Sequence, residues 1–541
     1  MAVPSNQPIY VLQEGTQRRR GGDAQSSNIM AARAVSDAIR TALGPKGMDK
    51  MLVDGMGDVT ITNEGATILR EVDLEHPAAK MFVEGAKAVE TECHDGTKTT
   101  VVLAGELLAE AQKLLDQHVH AAVIVRGYQR ASQHALTILR KLGDTVGPKD
   151  RTTLTQIART AVGTKMSESD GEHLSKLAVE AVSKVADAED AKRVVDLEHI
   201  KIEKIKGEDL TATRLVDGIV LRKERAAADM PEQVTKAKVL LLQGSLELKK
   251  TEYDQSIMIR GAGTFEKFLD RETKTLNAMA DKIAQVGATA VFSMKGINEL
   301  VAAHLARKGI VALKNVSKTE LELLERATGA TLLNRVDDAT PKDLGAAGSV
   351  RVEKHWGDEY VFVEECPKAK AVTVLMRGGV EHVLEEAERN FMDALGVLKL
   401  AVEDGRIVAG AGAVDIELAS AVRKFAHELT GRESLAAESF ANALEVIPKA
   451  IAENAGHNAV DALLALRKAH AGGDKNAGFD ISNGKTFDAR KRGIVTPLRV
   501  PERAISTATE LATMMLRIDD VIAAKGQAPA GAPPAGPMAD Y

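Results

Sequence analysis

The stretch His94-Asp95-Gly96-Thr97-Lys98-Thr99-Thr100 runs directly into Val101-Val102-Leu103-Ala104-Gly105-Glu106-Leu107-Leu108. Val101, Ala104, Leu108, Ala111 and Leu115 recur at helical spacing, which predicts a helix entered through an acid, a glycine and hydroxyl residues. A helix start presents unpaired backbone N–H groups and partial positive charge, and so attracts phosphate. Gly96 lets a ligand come close to the backbone, the threonine hydroxyls can bond phosphate oxygens, and Asp95 can hold Mg²⁺. An ordinary helix cap has the same composition, so the surrounding sequence must decide.

Upstream, Ile29, Ala32, Val35, Ile39 and Leu43 mark a helix that stops at the Gly44-Pro45 pair. The segments Met51–Val53 and Thr60–Thr62 read as a hairpin, and alanine- and leucine-rich helices follow to about Leu142. Before all of these, Arg18-Arg19-Arg20 and Gly21-Gly22 read as a solvated arm. The middle of the chain changes character. Val239–Leu242, Ala290–Ser293, Ile310–Leu313 and Thr331–Leu333 are short apolar runs suited to buried strands, and they alternate with helical segments such as Asn298–Arg307 and Lys318–Thr328. That alternation predicts a separate α/β domain. Gly261-Ala262-Gly263 opens no dinucleotide fingerprint and reads as a flexible connection. Helical periodicity returns after Met376, with Val383, Ala387, Phe391, Ala394 and Leu398 on one face. A last helix is expected over about Arg503–Ala523, and the Pro-, Ala- and Gly-rich tail 525–541 is expected to be disordered.

With 541 residues the chain is too long for one core. A net charge of -6 argues against a dedicated nucleic-acid binder, and 3% aromatics leave little for base- or sugar-stacking platforms. Cys93 and Cys366 form neither a disulfide framework nor a zinc motif. No signal core or membrane-length apolar run is present, so the expectation is a cytoplasmic protein with no membrane partner. The Walker pattern of the commonest phosphate-binding fold is missing too.

Five further segments bear on the helix start: Leu43-Gly44-Pro45-Lys46-Gly47-Met48-Asp49-Lys50-Met51-Leu52, Thr62-Asn63-Glu64-Gly65-Ala66-Thr67-Ile68-Leu69, Asp393-Ala394-Leu395, Val408-Ala409-Gly410-Ala411-Gly412-Ala413, and Leu516-Arg517-Ile518-Asp519-Asp520-Val521-Ile522. Together and in this order, the set resembles the group II chaperonins, the archaeal thermosome and its eukaryotic cytosolic relative, from about Gln7 to about Ala524. The resemblance implies a multidomain chaperonin fold. Residues 1–148 and 403–524 would form a mostly helical equatorial domain, 149–215 and 368–402 a small α/β intermediate domain, and 216–367 an α/β apical domain with a helical protrusion as its lid. It further implies an ATP-dependent chaperone: a subunit, beside identical or paralogous ones, of two stacked rings that bind unfolded protein and hydrolyse ATP with Mg²⁺. Terminal strands near Gln7–Leu12 and Leu516–Ala523 would pair subunits. The charge-alternating Leu246–Leu276 stretch, with Ile257-Met258-Ile259, would lie partly in the lid. Leu276 and Met279, by contrast, are expected to cover the sheet of the middle domain.

By the same resemblance Asp95 binds the metal, Asp393 positions the attacking water and Glu64 assists it. The nucleotide would be held by Leu43, Gly44, Pro45, Asp95, Gly96, Thr97, Lys98, Thr99, Gly410, Ala411 and Gly412. Lys165 would sense the γ-phosphate, and Asn476, Ala477 and Thr496 would contact base and ribose. From spacing alone, Arg389 and Asp393 make only a surface helix pair. Lys98 brings a positive charge that either meets phosphate or turns into solvent. His94 places bulk where the backbone can need positive φ. Glu64 stands where the family has aspartate, Ala411 where it has a central glycine, and Thr496 where it commonly has an acid. These departures keep open a structural, weakly or non-hydrolysing subunit of a mixed ring.

Overall fold

The computed structural model describes residues 17–53, 55, 57–72, 74, 76–163, 166–189, 192–248, 262–367 and 369–523. Lys165, the Gln7–Leu12 segment, Ile257-Met258-Ile259 and the tail 525–541 lie outside the described residues. Two units divide the chain: Met1–Asp144 together with Val408–Tyr541, and Thr145–Ile407.

The first unit is built by both ends of the chain. Its helices Gly22–Arg40, Pro77–Cys93, Thr97–Asp116 and Ala121–Leu142 come from the N-terminal part, and Ala413–Glu428, Arg432–Leu444, Val446–Asn454 and Arg499–Leu516 from the C-terminal part. Ile39, Leu103, Leu107, Leu108, Ile124, Tyr128, Phe440 and Met515 meet in one core. Thr97–Asp116 buries nearly its whole circumference, Val101, Leu103, Leu107, Leu108 and Ala111 included, so it runs through the middle of the unit. The hairpin forms as Lys50–Val53 paired with Val59–Thr62.

Two expectations at the ends are corrected. The arginine run is not a loose arm: Gln17–Arg20 pairs antiparallel with Asp520–Ala523. The last helix spans Arg499–Leu516, and residues 520–523 are strand. The β-branched pair Val521-Ile522 and the ladder partner across from it favour extended backbone there.

In the second unit the apolar runs are strands of a seven-stranded sheet. Its period-2 alternation sorts side chains to two faces. Val239, Leu241, Phe292 and Leu313 pack with Leu321 and Leu324 of helix Lys318–Thr328. Leu240, Leu242 and Val291 pack on the other face, with Leu276, Ala280 and Ile283 of helix Ala262–Val286 and with Val301 and Leu305 of helix Glu299–Arg307. Leu276 covers the sheet and Met279 lies against the same cluster. Ser317 and Glu320 close a capping box at the start of Lys318–Thr328, and Gly329 ends that helix in the left-handed conformation. Ala262 and Gly263 open a 25-residue helix rather than a connection; a glycine in the first turn costs less than one in the interior. A smaller sheet joins Ile200–Lys206, Val372–Gly378 and Arg214–Val216, beside the helices Arg151–Val162, Glu168–Val185 and Glu381–Asp404. On Glu381–Asp404, Ala387, Phe391, Ala394 and Leu398 are buried, but Val383 is exposed and Leu384 takes the core position.

Both cysteines are free and buried, and burial pushes each thiol up to about 12. Among the described residues no helix is long and apolar enough to cross a membrane.

Candidate functional site

Two helices of the first unit begin in the same way. Thr97–Asp116 starts after Gly96 at φ 86, ψ -1, and Ala413–Glu428 after Gly412 at φ 80, ψ 1. Each glycine is left-handed, a conformation it adopts without strain. No side chain caps either start. Uncapped starts leave backbone donors and the positive end of the helix dipole for another partner. Space is tight at both: a Cβ on Gly96 would stand 3.0 Å from Val500 Cγ1, and one on Gly412 2.8 Å from Pro448 Cβ.

Both starts line one cavity of ≈ 170 Å³. Asp95, Gly96 and Thr99 come from the first; Gly410, Ala411, Gly412 and Asp415 from the second; Thr496 and Val500 from the C-terminal part; and Ile447 and Ile451 supply apolar wall. Asp95 Oδ1 accepts from the Gly96 N–H at 2.7 Å, which fixes the orientation of the carboxylate. His94 ends the preceding helix at φ 53, and Ala411 sits at φ 54, so both non-glycine departures occupy left-handed backbone. Ala411 is held there by its carbonyl, which accepts from the Phe479 N–H at 3.0 Å.

The other sequence-predicted residues of this unit are outside that lining and engage partners of their own. Gly44, at φ 83, approaches Ile451, and a Cβ there would lie 3.3 Å from Ile451 Cγ1. Asn454 Nδ2 donates to the Leu43 carbonyl at 2.7 Å and so ties the Leu43-Gly44-Pro45 turn down. Thr97 is buried and its hydroxyl donates to Glu90, so its side chain is committed to packing. Glu64 accepts from the Thr67 hydroxyl at 2.7 Å. Ala477 is buried, and its carbonyl lies 2.9 Å from His470 Nε2; His470 Nδ1 lies 2.9 Å from Glu417. The Asn476 carbonyl accepts from the Ala489 N–H at 2.9 Å, closing the short hairpin that carries Asn476 and Ala477.

Lys98 does not turn into solvent. Its Nζ donates to the Ala42 carbonyl at 2.9 Å, the Asn63 carbonyl at 3.1 Å and Asn63 Oδ1 at 2.6 Å. The side chain leaves the helix start sideways, passes Gly65, where a Cβ would lie 2.7 Å from Lys98 Cγ, and bridges two segments distant in sequence. Lysine's flexible stem and three donors suit such a clasp.

Asp393 belongs to the second unit, on helix Glu381–Asp404. It is buried, at 8% exposure, so it does not lie on a solvated helix face.

Two polar groups of the cavity stand out chemically. Thr496 Oγ1 is buried and has no hydrogen-bond partner among the described residues. Asp415 was missed by sequence reasoning, because an acid in a first helical turn ordinarily just complements the dipole. Burial pushes its carboxyl from 3.8 up to about 7, with only its own backbone N–H acting against that rise.

A profile of the TCP-1/cpn60 chaperonin family matches residues 35–526. A thermosome subunit of Methanopyrus kandleri is 49% identical over 97% of this chain and 96% of its own length. The thermosome subunit beta of Archaeoglobus fulgidus is 49% identical with the same coverage, and a thermosome subunit of Pyrococcus horikoshii 48% identical over 97% of this chain and 95% of its own. The chain belongs to the TCP-1/cpn60 chaperonin family, as an ATP-dependent chaperone subunit of group II.

Proposed function

We propose that this chaperonin subunit hydrolyses MgATP and couples hydrolysis to lid closure over unfolded protein, in two stacked rings of identical or paralogous subunits. The observation that carries the reading is the pair of uncapped helix starts, each behind a left-handed glycine, on one cavity with Asp95 in its lining. Phosphoryl transfer needs a cradle, a metal and a positioned water rather than covalent chemistry. Gly96, Thr99 and the Gly410-Ala411-Gly412 turn would cradle phosphates, with Leu43, Gly44, Pro45, Thr97 and Lys98 shaping the turns behind them. Asp95 would hold Mg²⁺, whose charge offsets that of the phosphates. Asn476, Ala477 and Thr496 would receive base and ribose, and Lys165 would report the γ-phosphate. Asp393, assisted by Glu64, would orient the attacking water. A buried carboxylate has the restricted geometry that such a role requires.

In this reading the first unit is the equatorial domain (1–148 and 403–524). The second unit divides into intermediate (149–215 and 368–402) and apical (216–367) domains. Assembly is supported by the hairpin of the first unit, which exposes Met51, Val53, Val59 and Ile61. A two-stranded hairpin is marginal alone, and exposed apolar strands mark association surfaces.

The test is turnover by the purified assembly. Asp393→Ala is expected to lower ATP hydrolysis by about 10²–10⁴-fold while ADP binding persists. Parent-like turnover in that variant removes Asp393 from the mechanism. Nucleotide binding without phosphate release by the unaltered protein favours the structural subunit, and particles no larger than dimers in light scattering remove the ring.

A further inference from the structure

Where helix Gly22–Arg40 ends, the carbonyls of the following turn find separate donors. Asn454 Nδ2 serves Arg40 at 2.9 Å and Leu43 at 2.7 Å, and the Met48 N–H serves Thr41 at 2.9 Å. The Ala42 carbonyl is served by the Lys98 ammonium at 2.9 Å. The same ammonium takes the Asn63 carbonyl at 3.1 Å and Asn63 Oδ1 at 2.6 Å. Asn63 is buried, and its Nδ2 donates to the Gly47 carbonyl at 3.1 Å, which holds its amide oxygen toward the ammonium. Two glycines leave room for this arrangement. A Cβ on Gly47 would stand 2.3 Å from the Ala42 oxygen, and one on Gly65 2.7 Å from Lys98 Cγ.

Two main-chain carbonyls and one amide oxygen thus converge on a single positive charge. Carbonyl oxygens in such a cluster are how proteins replace the hydration shell of potassium, whereas Mg²⁺ and Ca²⁺ are held with carboxylates. An ammonium group is a monovalent cation of about the size of potassium, and its three N–H groups suit three acceptors. Each segment that meets here borders a part of the proposed nucleotide site. Ala42 precedes the Leu43-Gly44-Pro45 turn, Asn63 precedes Glu64, and Lys98 lies in the first turn of helix Thr97–Asp116.

We propose that Lys98 is a positioning residue whose ammonium takes the place of a bound potassium ion, so that the chain carries its own cation between these three segments. The cation site stands on the geometry alone; its effect on ligand binding rests on the nucleotide reading. Without the ammonium, buried carbonyl oxygens would face one another unanswered. Threonine at this position leaves room for a free ion and adds a hydroxyl ligand. Methionine fills the space with an unbranched chain that has neither charge nor donor.

The test compares the unaltered assembly, Lys98→Thr and Lys98→Met by melting curves and by ADP titration. Each is measured in potassium chloride and in choline chloride, at one ionic strength and one Mg²⁺ concentration. Thr97 and Thr99 flank the position, so the helix start should accept threonine and fold. The unaltered protein is expected to melt alike in both salts. Lys98→Thr should melt lower in choline and regain about 2–4 °C in potassium, as a protein does when an ion binds its folded state. Its ADP affinity should be at least about fivefold weaker in choline than in potassium. Lys98→Met should be destabilised in both salts with no recovery. Potassium recovery in both variants or in neither, or a response of the unaltered protein as large as that of Lys98→Thr, overturns the equivalence. Recovered melting without recovered ADP affinity overturns the positioning role. If the unaltered protein binds no ADP, the nucleotide reading falls, and the melting curves still decide the cation site.

Discussion

Glu445, buried, and Asp415, partly buried in a cavity wall, are carboxyls of the first unit handled in opposite ways. Glu445 is 1% exposed, between the helices Arg432–Leu444 and Val446–Asn454. Burial alone would raise its carboxyl, but hydrogen bonds from Arg467 and Arg423 hold it below the usual range. Arg423 Nη1 lies 2.7 Å and Arg467 Nε 2.8 Å from Oε1, and the two arginines sit on the helices Ala413–Glu428 and Ala459–Ala471. One carboxylate thus ties four helices, including the one whose start lines the cavity. Asp415, three residues into that start, has no guanidinium and is driven the other way. The difference separates a charge that organises the scaffold from a charge the protein leaves without a cation. The first is satisfied by the protein, the second at the protein's expense.

The largest effect should come from breaking the satisfied charge. Glu445→Ala takes the shared carboxylate from two partly exposed arginines and is expected to cost about 2–4 kcal/mol of unfolding free energy, allowing for water reaching the arginines, measured by denaturant titration. In the parent the same knot makes stability depend on acid. The folded-state proton affinity of Glu445 is lowered, so its contribution is complete above the ordinary glutamate range near 4.5 and is lost as pH falls below it. A loss under about 1 kcal/mol in Glu445→Ala would place the two carboxyls in one class.

Next comes Asp415→Asn, with the opposite sign. The folded-state proton affinity of Asp415 is raised, so the folded chain binds the extra proton between about 4 and about 7 and loses stability as pH rises through that window. The variant should be the more stable protein at pH 8, by about 1–3 kcal/mol allowing for solvent reaching the cavity wall, and near parity at pH 4. Melting curves of both proteins without nucleotide, at the two pH values, give the comparison. A variant that is less stable than the parent at pH 8 would mean that Asp415 is satisfied in the empty protein.

Lys98 sharpens the contrast with the smallest effect. Its ammonium is engaged by protein acceptors, so it belongs with Glu445 although the sequence places it in the phosphate loop. Lys98→Thr is expected to cost about 1–2 kcal/mol of stability through the lost bonds to Ala42 and Asn63. A change in ADP affinity with unaltered stability would put the ammonium at the phosphates after all.

Much of this was legible from local pattern. The helix start at Asp95-Gly96, the apolar strands Val239–Leu242 and Ala290–Ser293, the capped helix Lys318–Thr328 and the hairpin at Met51 and Thr60 are all set by interactions within a few residues: turn chemistry, capping and periodicity. The misread elements depend on partners far along the chain. Gln17–Arg20 is strand because Asp520–Ala523 lies beside it, at the other end of the chain, and polar composition alone reads as a loose arm. Arg389 and Asp393 have the spacing of a surface pair, yet the helix turns Asp393 into buried surroundings.

By itself, the sequence determined the local devices: two glycines that open helices in the left-handed conformation, the alternation that gives each strand two apolar faces, and the hydroxyls and acids at the helix starts. The tertiary structure alone decided that the two ends of the chain share a core, that both glycine-led starts open on one cavity, and which charges there are answered. Chain geometry is set by each residue's own steric limits. The state of a charge is set by what surrounds it in space, and Lys98, Glu445 and Asp415 find or lack their partners across contacts that no spacing along the chain records.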